Sequence, residues 1–367
     1  MRFQATEEQM KITGRTLFEN GVRILGWSGS GVTFRFYGKR AAAGILSNPE
    51  DWEAHLKARI AVYVRENPAK EEAYQPKVLM LEKGIQEISL FESEEPKDVT
   101  ITIMKYSEAP FAYCGIEWIE TDGKTLLPPP EASSRRMEII GDSITCGYGV
   151  EADSELIPFS TDTENPTLSY SMLLAGKLQA EVNLISWSGN GIISHYVDES
   201  AAEPGTGHLM PEIYPYTDIS AEEQLKKKQL IEADEKRLWD FSRFVPQLVL
   251  INLGTNDCSW CRTIPERNAH FKAEYRKFLK EVRKYNPDAM ILCVLGTMDE
   301  RLLTEIREAV SETAKETQDE RLHFQALPPQ DPADGYGSDW HPSKETHRKT
   351  AELLAGKISA LMGWETV

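Results

Sequence analysis

The sequence predicts two domains of different class: an all-β domain first, then an α/β domain built on a parallel sheet. Three observations predict this. Apolar residues in the first third alternate with period two. Those in the remainder come as short runs between helical stretches, and a proline triplet separates the two regimes. The 367 residues suffice for two such domains at about 100–200 residues each.

In the first region Val32, Phe34 and Phe36 alternate with Thr33, Arg35 and Tyr37. Ile60, Val62 and Val64 alternate with Ala61, Tyr63 and Arg65, and Val99, Ile101 and Ile103 repeat the pattern. Turn signals at Gly29-Ser30-Gly31, Lys83-Gly84 and Asp122-Gly123 punctuate these runs. Short alternating strands with such punctuation predict a β-sandwich or jelly roll over residues 1–127. Pro128-Pro129-Pro130, followed by small polar residues, cannot continue a sheet and reads as a stiff linker over 128–135.

From 136 to 367 the period changes. Met137–Ile140, Val182–Ile185, Leu248–Ile251 and Met290–Leu295 have the look of strands buried on both faces, and Leu322–Gln325 is a fifth candidate. Helical stretches fall at 167–179, 221–243, 267–285, 299–317 and 343–362. Strand alternating with helix predicts right-handed βαβ crossovers. Residues 198–220, rich in glycine, proline and tyrosine, read as a long loop. In such a sheet ligands bind at the carboxyl ends of the strands, which directs attention to the loops there.

The charge narrows the partners. With 41 Lys+Arg against 58 Asp+Glu the net charge is −17, which disfavours nucleic acid and anionic membranes and suits a neutral or cationic small substrate. No run approaches the roughly 20 apolar residues of a membrane span. The opening MRFQATEEQMK is polar and charged rather than a secretory leader, so a cytoplasmic protein is expected. Five cysteines make no disulfide framework and fit a reducing compartment. Cys258-Ser259-Trp260-Cys261 has redox or zinc spacing, yet no second pair completes a site. Two thiols in a loop are expected there, with no metal and no cofactor.

Four strand-end loops carry the chemistry. Gly141-Asp142-Ser143-Ile144-Thr145-Cys146-Gly147 sets a serine just past a buried strand, where its hydroxyl and a backbone N–H can be exposed to an acyl group. The loop is neither a P-loop nor a dinucleotide fingerprint, and GxSxG is absent. Ser186-Trp187-Ser188-Gly189-Asn190-Gly191 offers glycines that let a backbone N–H approach a ligand, or simply a tight turn. Gly254-Thr255-Asn256-Asp257 supplies an amide suited to an oxyanion, with Asp257 capping the loop or the next helix. Gly337-Ser338-Asp339-Trp340-His341-Pro342 holds the one histidine of seven in a comparable setting, a general base by type.

Taken in this order, the four loops resemble the blocks of the SGNH hydrolases, a branch of the GDSL esterases. The fuller runs GDSITCGYG and DWHPS, joined to a β-rich first domain, look most like carbohydrate esterase family 2. Members of that family pair a jelly-roll domain with a three-layer, flavodoxin-like SGNH domain and remove acetyl groups from xylan and other plant glycans. The resemblance implies a catalytic domain at 136–367, with Ser143 as nucleophile and His341 as base. It implies an oxyanion hole made by the N–H groups of Ser143 and Gly189 and the Asn256 amide. The usual superfamily acid stands three residues before the histidine, where this chain has Ser338; Asp339 is only two before. Some members of the resembling family use a Ser–His dyad oriented by a backbone carbonyl. A dyad is expected here, with Asp339 as structural support rather than a third catalytic member.

Trp187, Trp260 and Trp340 lie near these loops. Trp260 and Trp340 are expected sugar contacts. The leading expectation is an acetylesterase acting on acetylated xylo-oligosaccharides or related glycans. The alternatives are an SGNH esterase, lipase or thioesterase acting on a non-carbohydrate ester, or a carbohydrate-binding protein with incidental esterase activity.

Overall fold

The computed structural model describes residues 1–47, 54–67, 75–228, 231 and 236–367. The chain forms two compact units. One comprises Met1–Ala132, Ser160–Glu164 and Thr217–Arg237; the other comprises Ser133–Phe159, Asn165–Tyr216 and Leu238–Val367. The chain first passes between them at Ala132 and Ser133, inside the proline-rich stretch. In chain order the helices among the described residues are α1 Ser143–Cys146, α2 Tyr170–Lys177, α3 Met210–Ile213, α4 Ile219–Lys227, α5 Thr255–Cys261, α6 Pro265–Tyr285, α7 Leu303–Thr317 and α8 Lys344–Met362.

The first unit is one curled antiparallel sheet. Its described strands are β1 Arg2–Phe3, β2 Lys11–Thr13, β3 Leu17–Glu19, β4 Val22–Leu25, β5 Gly31–Ser47, β6 Arg59–Glu66, β7 Lys77–Met80, β8 Gly84–Lys105, β9 Cys114–Thr121 and β10 Leu126–Leu127. The main path runs β3-β4-β9-β5-β8-β6-β7. Strands β5 and β8 are long and shift register between Gly38 and Arg40 and between Ala41 and Ala42. Such irregularities bend strands and let a long sheet curl over its own core. The alternation legible in the sequence fills that core with Val32, Phe34, Phe36, Ile60, Val62, Val99, Ile101 and Ile103, all buried, while Tyr37 is 58% exposed. Helix α4, capped where the Asp218 carboxylate accepts the Ala221 N–H, adds Ala221 and Leu225 to a small cluster with Leu17, Ile24 and Tyr113. Of the helix expected at 221–243, α4 ends at Lys227, residues 229–230 and 232–235 lie outside the described residues, and Phe241–Arg243 is a separate single turn.

The second unit is the α/β body. Its strands, β11 Arg136–Gly141, β12 Glu181–Ser186, β13 Leu248–Asn252, β14 Met290–Leu295 and β15 Leu322–Ala326, form a wholly parallel sheet in the order β12-β11-β13-β14-β15. All five sequence-predicted strands are present. Met137, Ile139, Leu184, Leu248, Leu250, Leu292 and Val294 join Leu174 of α2, Leu178 just past its end, and Leu354 and Ile358 of α8 in one buried cluster. The alternate residues Ile140, Ile185, Val249, Ile251, Ile291 and Cys293 are buried as well, which is why these strands read as continuous apolar runs. The order reverses direction at β11, so its carboxyl end and those of β12 and β13 open a crevice at the switch point.

Leu250 is fully buried in the central strand, β13, within the cluster shared with α2 and α8. Leu250→Ala is expected to destabilise the α/β unit by about 2–5 kcal/mol, measured by urea denaturation.

Candidate active site

Each of the four loops leaves the sheet at its carboxyl edge. After β11 the Asp142 side chain caps the short helix α1 by accepting the Ile144 N–H at 3.0 Å, which fixes Ser143 at the first helical position. Gly149 then turns the chain at φ +57°. A Cβ there would lie 2.3 Å from the Ser338 Cβ, so only glycine lets the serine and histidine loops touch. The Gly149 carbonyl accepts the Ser338 N–H at 3.1 Å, and the His341 carbonyl accepts the Gly337 N–H at 2.8 Å.

This anchoring brings Ser143 and His341, 198 positions apart, within hydrogen-bond distance: Ser143 Oγ lies 2.9 Å from His341 Nε2. The opposite ring nitrogen, Nδ1, lies 3.1 Å from the Ser338 carbonyl oxygen. A carbonyl can only accept, so Nδ1 carries the proton and Nε2 presents a lone pair to the serine hydroxyl. Loss of hydration lowers the His341 pKa to about 4, opposed by the backbone contacts at Ser338 and Asp339. The imidazole face stacks on Tyr148 at 4.0 Å, and Tyr148 stacks in turn on Phe159 at 3.8 Å.

Asp339 does not reach the imidazole by a hydrogen bond. Its Oδ2 accepts the Tyr148 hydroxyl at 2.8 Å and the Phe159 N–H at 3.2 Å. Asp339 sits at φ +50°, a left-handed conformation that aspartate adopts more readily than most residues.

The second and third loops are tied together by Asp257. Its buried carboxylate accepts the N–H groups of Ile192, Ile193 and Ser194 at 3.0, 2.7 and 3.1 Å. Burial raises its pKa to about 6, against the lowering effect of those bonds. Gly191 lies over this carboxylate with no room for a Cβ, which would fall 2.2 Å from the Ser194 carbonyl oxygen. The Asn256 amide donates to the Asn190 carbonyl at 2.8 Å and, at a longer 3.3 Å, to Asp142 Oδ2. The sequence suggested a cap at Asp257; the structure makes it a clamp on the neighbouring loop.

Ser143, Gly189, Asn256, Asp339 and His341 line one cavity of about 450 Å³. Trp260 and Trp340 do not. Trp260 lies in helix α5 under the guanidinium of Arg267, 3.5 Å from the ring centroid, and Trp340 packs beside Tyr336. Trp187 stacks on His208. Cys258 and Cys261 likewise fall in α5 rather than in a loop, both buried and free, with burial holding both thiols well above their ordinary pKa. Tyr148, which the GDSITCGYG run contains but to which no role was given, also lines the cavity, and Tyr196, Met298, Asp299 and Arg301 do so outside any motif. Their signal was positional: 298–301 follow β14 at the same sheet edge as the other loops.

The comparisons with known proteins agree with this architecture. Residues 139–349 match the GDSL-like lipase/acylhydrolase family, and residues 12–130 match the carbohydrate esterase 2 N-terminal domain. The chain belongs to the GDSL-like lipase/acylhydrolase family. It is therefore grouped with the carboxylic ester hydrolases, in the two-domain arrangement of carbohydrate esterase family 2. It is 33% identical over 92% of its length to a cellulase/esterase, CelE, of Acetivibrio thermocellus, and spans 38% of that relative's length. It is 25% identical to an acetylxylan esterase/glucomannan deacetylase of Cellvibrio japonicus, over 98% of this chain and 91% of the relative. A family two carbohydrate esterase from Clostridium thermocellum, solved in complex with cellohexaose, superposes with a TM-score of 0.81 at 31% identity, over 97% of this chain and 99% of that one. No helix among the described residues is long and apolar enough to cross a membrane.

Asp257→Asn removes the negative charge and, with its oxygen kept at the Oδ1 position, turns an NH2 donor toward the Ile192 N–H. It is expected to cost about 1–3 kcal/mol of stability in urea denaturation and to lower ester turnover at least tenfold as the Gly189 loop loosens.

Proposed function

We propose that this chain removes O-acetyl groups from acetylated sugars, xylo-oligosaccharides or related glycans, through an acetyl-enzyme formed on Ser143. The observation that carries the proposal is the 2.9 Å contact between Ser143 Oγ and the unprotonated Nε2 of His341. The names of the relatives support a sugar ester as substrate.

The chemistry follows from the geometry. His341 accepts the Ser143 proton as Oγ attacks the acetyl carbonyl carbon, and the carbonyl oxygen becomes an oxyanion. Three donors serve it: the N–H groups of Ser143 and Gly189, which have no hydrogen-bond acceptor among the described residues, and the Asn256 amide. The longer Asn256–Asp142 contact is the one that yields. His341 then protonates the departing sugar hydroxyl oxygen, and water, deprotonated by the same imidazole, releases acetate and restores Ser143. The Ser338 carbonyl holds the tautomer throughout, and Asp339 makes no side-chain hydrogen bond to the base, engaging instead the hydroxyl of Tyr148, whose ring stacks on it. This is a dyad with structural support. The five thiols, all free, fit the reducing cytoplasm as the place of work.

Two experiments test the proposal. Aryl acetate and acetylated xylo-oligosaccharide are assayed with wild type, Ser143→Ala and Asp339→Asn. Wild type is expected to release acetate from both, Ser143→Ala to lose about 10³-fold or more, and Asp339→Asn, which keeps an acceptor for Tyr148, to lose less than about tenfold. An Asp339→Asn loss equal to that of Ser143→Ala rules the dyad out. In a pH profile, the base works only when neutral, so kcat/KM should fall as pH drops through about 4 rather than through the ordinary histidine value near 6.5.

A further inference from the structure

Among the described residues Arg301 is the one guanidinium lining the catalytic cavity, and it lines a second, adjoining cavity of about 400 Å³ as well. Tyr196 and Ser259 are likewise common to both, so the two form one groove leading away from Ser143. Arg301 is held firmly. Its Nε and Nη2 bind the Asp299 carboxylate, with Nε 2.9 Å from Oδ2, and the Asp299 side chain is 18% exposed against 43% for Arg301. The Arg301 backbone N–H adds a bond to Asp299 Oδ1 at 3.0 Å.

A guanidinium has two forks. Asp299 occupies the one formed by Nε and Nη2, while Nη1 has no hydrogen-bond partner among the described residues. The second fork, Nη1 with the remaining N–H of Nη2, is therefore pre-oriented and open. Because Asp299 already balances the cation, this fork suits neutral oxygens better than an anion. Two adjacent hydroxyl oxygens of a sugar ring match its spacing and its donors-only chemistry.

We propose that Arg301, oriented by Asp299, is a specificity-determining residue that donates from this open fork to a pair of hydroxyl oxygens on the sugar carrying the acetyl ester. This rests on the esterase reading of the site and gives it a means of distinguishing sugar esters from simple esters. An aryl acetate offers no hydroxyl pair and gains nothing from the fork.

The test is the ratio of kcat/KM for acetylated xylo-oligosaccharide to kcat/KM for aryl acetate, measured for wild type, Arg301→Gln, Arg301→Lys and Asp299→Asn. Arg301→Gln is expected to lower the ratio about tenfold or more, the range of a lost charged hydrogen bond. Arg301→Lys keeps the charge but loses the fork and should lower it similarly. Asp299→Asn, which leaves the guanidinium unanchored, should lower it by a smaller factor, mainly through KM. Because the ratio is internal, partial unfolding moves both substrates together and leaves it fixed. An unchanged ratio in both Arg301 variants overturns the assignment while leaving the esterase reading standing. Wild type that hydrolyses neither ester overturns both.

Discussion

The site depends on one backbone hydrogen bond, from His341 Nδ1–H to the Ser338 carbonyl oxygen. It selects the tautomer in which Nε2 can accept a proton, and it does so without a carboxylate. The cost is visible in the electrostatics. A dipole stabilises an imidazolium less than a full negative charge does, and loss of hydration takes the His341 pKa down to about 4. A displacement of that size corresponds to roughly 3 kcal/mol against the protonated ring. In the proposed mechanism the developing oxyanion supplies the missing negative charge at the moment it is needed. Proton transfer and oxyanion formation then become mutually dependent, and the resting imidazole stays neutral.

That bond is possible because the surrounding loops are locked to one another rather than to side chains of the catalytic pair. Gly149 lets the serine loop lie against Ser338, and Asp257 clamps the glycine loop by three N–H groups. Tyr148 covers the face of the imidazole and engages Asp339 with its hydroxyl. Each of these ties joins loops from different strands. The parallel sheet matters to function because it delivers all of those loops to one edge, and buried residues such as Leu250 hold that edge still.

Much of this was legible in the sequence. The five apolar runs became the five strands, and the alternation of the first third became the inner face of a curled sheet. Ser143, Gly189, Asn256 and His341 were readable as one group because each follows or precedes a regular element in a short, glycine-marked loop, and the structure does gather them in one cavity. The tryptophans were not readable in this way. A place just past Asn256-Asp257 favoured Trp260 as a sugar contact on a loop, but α5 begins at Thr255, and Trp260 lies in that helix beneath Arg267 rather than in the cavity lining. Asp299 and Arg301 illustrate the reverse case. They belong to no motif, and their meaning comes from a pairing geometry that only the folded loop creates. The two-residue offset of Asp339 from His341 pointed to structural support rather than a third catalytic member, but it could not name the partners that the folded loop supplies, the Tyr148 hydroxyl and the Phe159 N–H.

The most direct test of the central claim is a nitrogen-15 NMR titration of the His341 imidazole in the resting enzyme, compared with Asp339→Asn. The account predicts a proton on Nδ1, a neutral ring down to about pH 4, and the same tautomer in the variant, whose ring titrates no higher. A proton on Nε2 at neutral pH, or a titration that shifts markedly when the Asp339 charge is removed, would contradict it.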